Sequence, residues 1–150
     1  MFFREAKTED IPKIHAIRLS VQENRLSDPT RITPEDYTQM LTERGKGWVC
    51  EVESDILGFA IVDLQESIVW ALFVLPEQEG NFIGRMLHDM MVSWCFSRGM
   101  AKLTLTTAPE TRAEKFYLKS GWQKIGTTET GEVIFELENN LDELIAPEQD

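Results

Sequence analysis

The sequence predicts a mixed α/β fold in which one twisted central sheet of about seven strands carries helices on both faces. Three observations predict it. The order of elements reads β-α-α-β-β-β-α-β-α-β-β, and three consecutive strands between helices argue for a mixed sheet over a doubly wound parallel one. The run from Val69 to Arg98 reads as an apolar strand, a glycine-marked loop and a long helix. The chain has 150 residues, 42% hydrophobic and 27% charged, which suits a single globular domain with a proper core.

Each element has its own signal. Phe2 to Ala6 is a first strand, and Thr8-Glu9-Asp10 sets a cap and two acids ahead of Ile11, Ile14, Ile17 and Val21 at helical spacing. Pro12 falls in the first turn, where a missing N–H is tolerated. From Gln22 to Ile32 the chain is polar, with Asp28-Pro29 as a turn. Thr33-Pro34-Glu35-Asp36 then starts a second helix, expected to run to about Arg44 and to end at Gly45. Gly47 to Glu53 and Ile56 to Leu64 are β-rich runs joined at Ser54-Asp55.

Ser67 to Leu75 is the next strand, stopped by Pro76. The helix after Gly84 presents Ile83, Met86, Leu87, Met90, Trp94 and Cys95 as one buried face and ends at Gly99. Lys102 to Thr107 is a strand, Thr111 to Ser120 a helix closed by Gly121, and Trp122 to Thr128 with Glu132 to Glu138 a closing hairpin. Residues 1–138 form the expected domain, and 139–150 an acidic tail, frayed or a short turn of helix.

The totals narrow the function classes. No apolar stretch reaches membrane-span length, and Met1-Phe2-Phe3-Arg4-Glu5 is not the start of a signal peptide. Cys50 and Cys95 lie in apolar runs, so the expectation is a cytoplasmic protein with no covalent cysteine chemistry. The net charge of −11, from 26 acidic against 15 basic residues, disfavours nucleic acid and anionic membranes and favours cationic partners such as protonated amines. The same acidity also serves solubility alone. His15 and His88 have no partner at ligand spacing, so no metal site is expected.

The strand–loop–helix run leaves several backbone N–H groups unpaired at a helix N-terminus, which suits an anion such as a pyrophosphate. Two familiar phosphate motifs do not fit. Gly80 and Gly84 are three residues apart and followed by Arg85-Met86, which is no P-loop. A dinucleotide fingerprint needs three glycines in a βαβ unit, and only two are present.

Glu79-Gly80-Asn81-Phe82-Ile83-Gly84 does resemble the Q/R-x-x-G-x-G/A loop of the GNAT superfamily of N-acetyltransferases. A second match is Ala113, Phe116-Tyr117 and Gly121-Trp122. The resemblance covers essentially the whole chain. It implies an acetyl-CoA-dependent N-acetyltransferase that transfers acetyl directly to a primary amine, and a homodimer is compatible with the family.

On that resemblance, Leu72, Phe73 and Val74 face the pantetheine arm. Glu79, Gly80, Asn81, Phe82, Ile83, Gly84 and Arg85 hold the pyrophosphate, and Tyr117 protonates the departing thiolate. Tyr117 also reads as one aromatic of a core-facing helix beside Phe116 and Leu118.

Two residues depart from the pattern. Phe82 stands where the pattern has glycine, and Glu79 where it has glutamine or arginine. An amine acceptor with a pKa near ~10 must lose a proton before it attacks. Glu23 is the candidate base, in the segment that lines the acceptor site, with Asp28, Glu51, Asp63 and Glu66 as other carboxylates. Trp70 either lines that pocket or fills the core. The acidic composition points to a small cationic acceptor. Phe82 also supports a second reading, a weakened acyl-CoA-binding or regulatory domain on the same fold.

Overall fold

The computed structural model describes residues 1–140. Strand β1 (Phe2–Glu5) leads through a single 3₁₀ turn, Thr8–Asp10, into helix α1 (Ile11–Ser20). The cap here is not Thr8. Arg4 holds the Asp10 carboxylate in a two-pronged pair at 2.9 Å, and that carboxylate accepts the Lys7 N–H at 2.8 Å. Asp10 therefore anchors both the turn and β1.

Helix α2 (Pro34–Gln39) starts as its sequence predicts: Thr33 Oγ1 accepts the Asp36 N–H, and the Asp36 carboxylate accepts the Thr33 N–H. It does not continue as an α-helix to Arg44. Met40–Arg44 is a wider π turn, and strand β2 (Gly45–Val52) begins at Gly45. Gly45 is fixed by a close approach of strands, because a Cβ there would stand 2.0 Å from the Val62 carbonyl oxygen.

Strands β3 (Asp55–Asp63) and β4 (Ile68–Val74) follow, then helix α3 (Ile83–Ser97), β5 (Lys102–Thr107), α4 (Arg112–Lys119), β6 (Gln123–Thr127) and β7 (Val133–Glu138). They form one seven-stranded sheet in the order β1-β2-β3-β4-β5-β7-β6. Every neighbouring pair is antiparallel except β4 with β5.

Alternation along the central strands supplies two cores. Trp48, Cys50, Ala60 and Val62 face α3 and α4, while Val49, Phe59 and Ile61 face α1 and α2. Helix α3 buries the stripe Ile83, Leu87, Met91 and Cys95. The expected face was wider. Met86 is exposed, and Met90 and Trp94 are only partly buried, Trp94 lying against Trp48 with Lys46 and Arg98 over its ring at 4.9 and 4.8 Å. An i, i+4 stripe is enough for a helix lying flat on a sheet.

Both cysteines are buried, and burial pushes the Cys95 thiol up to about 11. Most of the acidic tail expected over 139–150 lies outside the described residues. Asn139 is described, and its side-chain amide donates to the Phe96 and Met100 carbonyls. No described helix is long and apolar enough to cross a membrane.

Candidate active site

The site is organised by what β4 does at its middle. On one side β4 pairs with β3, but the register shifts between Ile61 and Val62: Ile61 faces Ala71 and Val62 faces Val69, leaving Trp70 as an extra residue. Such a bulge bends its strand. On the other side β4 shares only one parallel ladder pair with β5, Ile68 with Thr104. Beyond it the two strands part, and cavities open at both ends of the gap.

The downstream cavity, about 560 Å³, lies between the end of β4, the Gly80–Gly84 loop and α4. Gly80 has φ +87° and Phe82 φ +63°, so two left-handed residues alternate with Asn81. Among the described residues no protein group accepts the N–H of Gly80, Phe82, Ile83, Gly84 or Arg85, whereas the Met86 N–H is already bonded to the Phe82 carbonyl. Those free amides at the start of α3, with the helix dipole behind them, are arranged as an anion would require.

Arg85, Arg112, Lys115 and Lys119 add positive charge to the walls. Glu79 is paired across the cavity with Arg112 at 2.5 Å, so its charge does not face the amides alone. Phe82 takes the left-handed conformation, which costs a non-glycine residue ~1–2 kcal/mol, and its side chain stands 75% exposed at the rim.

The upstream cavity, about 480 Å³, lies between the first half of β4, the α1–α2 segment and the end of β5. Asn24 fastens that segment in place. Its Nδ2 donates to Thr107 Oγ1 at 3.1 Å, and its Oδ1 accepts the Ala108 N–H at 2.8 Å. Trp70 lines this cavity and meets Tyr37 edge-to-face at 5.4 Å, and Tyr37 OH lies 3.0 Å from His15 Nδ1. Burial pushes the Tyr37 phenol up to about 12. The ionic lining is Arg18, Arg25 and Arg31 with one carboxylate, Glu132. The lining is thus richer in guanidinium groups than in carboxylates, although the chain as a whole is acidic.

Leu72, Phe73, Asn24, Ala113 and Tyr117 line both cavities. Tyr117 is held by rings: Phe116 at 5.3 Å, Trp122 at 5.4 Å and Phe135 at 6.0 Å. Burial raises its phenol pKa well above the ordinary tyrosine value, so it stays protonated. Beneath it the Trp122 indole N–H donates to His88 Nε2 at 2.9 Å, so His88 Nδ1 carries the hydrogen and faces the Asp89 carboxylate at 2.8 Å. Burial lowers the His88 pKa.

The structure brings together most of the residues expected from the sequence. Leu72, Phe73, Val74, Glu79, Gly80, Phe82, Gly84, Arg85, Glu23 and Tyr117 all line the downstream cavity. Ile83 offers it only a backbone N–H, its side chain being in the core, and the Asn81 side chain donates to Gln78 Oε1.

Glu23 accepts the Arg112 N–H at 3.0 Å and is absent from the lining of the upstream cavity. Asp28, Glu51, Asp63 and Glu66 are absent from that lining too, and Glu66 is exposed. Asp63 binds Arg44 and the turn amides of Gln65 and Glu66, Glu51 binds Arg4, and Asp28 binds Thr30. Sequence reasoning missed Arg18, Arg112 and Glu132. Each is a single charge with no motif around it: Arg18 meets Phe73 and Arg112 meets Glu79 only through the fold, and Glu132 sits in a turn beside Thr130.

A mixed sheet opened beside its central strand, with a loop of free amides at one end and a polar cavity at the other, has the layout of a group-transfer domain. The sequence matches the acetyltransferase (GNAT) family over residues 11–122, and the chain belongs to that family. No curated protein matches the chain.

Among solved structures it resembles the ribosomal-protein-S18-alanine N-acetyltransferase of Escherichia coli, with TM-score 0.76 and 18% identity over 92% of this chain and 93% of that one. It also resembles the ribosomal-protein-alanine N-acetyltransferase of Brucella melitensis, with TM-score 0.76 and 20% identity over 92% and 99%. A third is the PaiA N-acetyltransferase of Thermoplasma acidophilum in complex with coenzyme A, with TM-score 0.77 and 14% identity over 91% and 98%. At these identities the likeness is one of fold.

Proposed function

We propose that the protein transfers the acetyl group of acetyl-CoA directly to a primary amine of a small molecule. The observation that carries this reading is the meeting of the two cavities at Leu72, Phe73 and Tyr117, where the strands part. The downstream cavity fits the coenzyme. Its five free amides and four cationic side chains suit a diphosphate, and the unpaired edge of β4 suits the amides of a pantetheine arm. Acetyl-CoA supplies the activated acyl group as a thioester.

Each of the chain's own groups then has a task. Backbone N–H groups of the loop fix the phosphates, and Arg85 and Arg112 reinforce them. Leu72 and Phe73 border the point where the acceptor nitrogen reaches the acyl carbon. A C–N bond forms there, the C–S bond breaks, and Tyr117 gives its phenolic proton to the sulfur. The proton lost by the amine passes to water or to Glu132, the carboxylate on the acceptor side, and Tyr117 is reprotonated from the same pool. Glu23 is assigned to holding the start of α4 through the Arg112 N–H.

Acetyl-CoA consumption across a panel of amines, followed through the released thiol, tests this reading. Calorimetry that detects no acetyl-CoA binding would leave the weakened-domain reading instead, for which the strained Phe82 is the specific observation.

A further inference from the structure

We infer that the acceptor carries a carboxylate close to its amine, and that Arg18 is the residue that recognises it. The inference rests on the acetyltransferase reading of the same site and names its substrate class. Three guanidinium groups line the upstream cavity against one carboxylate, in a protein whose net charge is −11. None of Arg18, Arg25 or Arg31 forms an ion pair among the described residues, although seven pairs between other Lys or Arg side chains and carboxylates are present there. Asp28 feels the charge of Arg31 at a distance and spends its own oxygens on Thr30.

Arg18 is the decisive residue. Its guanidinium lies 4.2 Å from the centre of the Phe73 ring, and its Nη1 is buried with no hydrogen-bond partner. A buried, unpaired guanidinium nitrogen is costly to leave so, and a planar carboxylate is the group that matches its fork. Phe73 borders both cavities, so a carboxylate on Arg18 lies near the point where the amine must arrive. That proximity favours an amino acid over a long diamine. Glu132, on the β7 side, complements the ammonium form of such a zwitterion.

The experiment uses matched triplets: an L-amino acid, its amide and its decarboxylated amine, for example L-phenylalanine, L-phenylalaninamide and phenethylamine, with L-methionine as a second set. A short peptide amide without acidic residues is a further arm. Thiol release gives kcat/KM for each. The expected result is a preference of at least about tenfold for the free acid. In Arg18→Gln that preference falls below about threefold, with KM for the free acid rising more than KM for the bare amine. Arg18→Lys serves as the second variant should Arg18→Gln fail to fold, and a partial loss of preference there supports the assignment. A loss in the exposed Arg25→Gln with Arg18 intact instead assigns the carboxylate to Arg25 and overturns it.

Equal or better turnover of the amide, the bare amine or the peptide overturns the inference while leaving the acetyltransferase reading intact. Failure of acetyl-CoA to bind overturns both. If acetyl-CoA binds and none of these amines is turned over, calorimetry of the N-acetyl amino acids against their amides on the coenzyme A-saturated protein decides. Tighter binding of the acids supports the inference, and equal binding overturns it.

Discussion

Asn24 and Thr107 are 83 positions apart and joined by a hydrogen bond of 3.1 Å, with the neighbouring Ala108 N–H bonded to the same side chain. This contact fastens the segment after α1 to the end of β5 and so makes a wall of the upstream cavity. Asn24 has φ +58°, so glycine is the substitution that keeps its backbone. Asn24→Gly is expected to cost ~1–3 kcal/mol in urea unfolding, since it orphans a backbone N–H, and to raise the acceptor KM more than that for acetyl-CoA. Asn24→Asp, which keeps the acceptor oxygen, is expected to lose less.

Phe82 holds a left-handed conformation with its side chain largely exposed. Phe82→Gly removes that strain and adds backbone freedom to the unfolded chain, for a net gain of ~0.5–1 kcal/mol. The affinity for acetyl-CoA is expected to stay within about threefold of the wild type by calorimetry. Binding seen only in the glycine variant would show instead that the ring blocks the loop.

Tyr117 sits at the junction with its phenol held protonated by burial. Tyr117→Phe is expected to lower kcat by ~10²–10⁴ and leave acetyl-CoA affinity unchanged. An acid with a raised pKa loses its proton only at high pH. The kcat profile should therefore show no alkaline fall assignable to Tyr117 up to about pH 10, the ordinary tyrosine value.

Arg112 pairs with Glu79 beside the free amides. Arg112→Ala leaves that carboxylate facing the phosphates, so acetyl-CoA affinity should fall about 3–10-fold, and less at high salt. Adding Glu79→Gln to it should recover part of the loss. Equal affinity in both variants would remove the loop charge from the account.

His88 has a lowered pKa because it is buried. Its neutral form is the one that accepts from Trp122, so the unfolded state takes up a proton at higher pH than the folded state does. The associated stability is present above about pH 6.5 and is lost progressively as the pH falls toward the lower folded-state value. Urea melts from pH 8 to pH 5 should show this slope, and His88→Gln, which keeps an acceptor for the indole, should flatten it.

The parts legible in the sequence are those encoded by neighbours along the chain. Strands announce themselves by apolar runs, the α2 start by Thr33 and Asp36, and the anion loop by Gly80 and the helix behind it. Features made by distant pairing were not legible. Glu79 reads in the sequence only as a departure from the loop pattern, and its pairing with Arg112, 33 positions on, is made by the fold. Arg18 carries no signal of its own in the sequence, because the Phe73 ring that it covers is brought to it only by the fold. The fully buried stripe of α3 is narrower than its hydrophobic pattern, because Met90 and Trp94 flank the core half-buried and Met86 faces solvent. Glu132 sits in a hairpin turn, where a lone acid carries no signal.

The single rung between Ile68 and Thr104 has a mechanical meaning. The sheet is two smaller sheets, β1 to β4 and β5 to β7, sewn together at one stitch and backed by helices. A ligand whose own amides lie along the open seam would act as the missing strand and bind the halves into one piece. Hydrogen exchange at the edges of β4 and β5 should then slow together when acetyl-CoA is added, while exchange at β1 and β6, the outer borders, stays as it was.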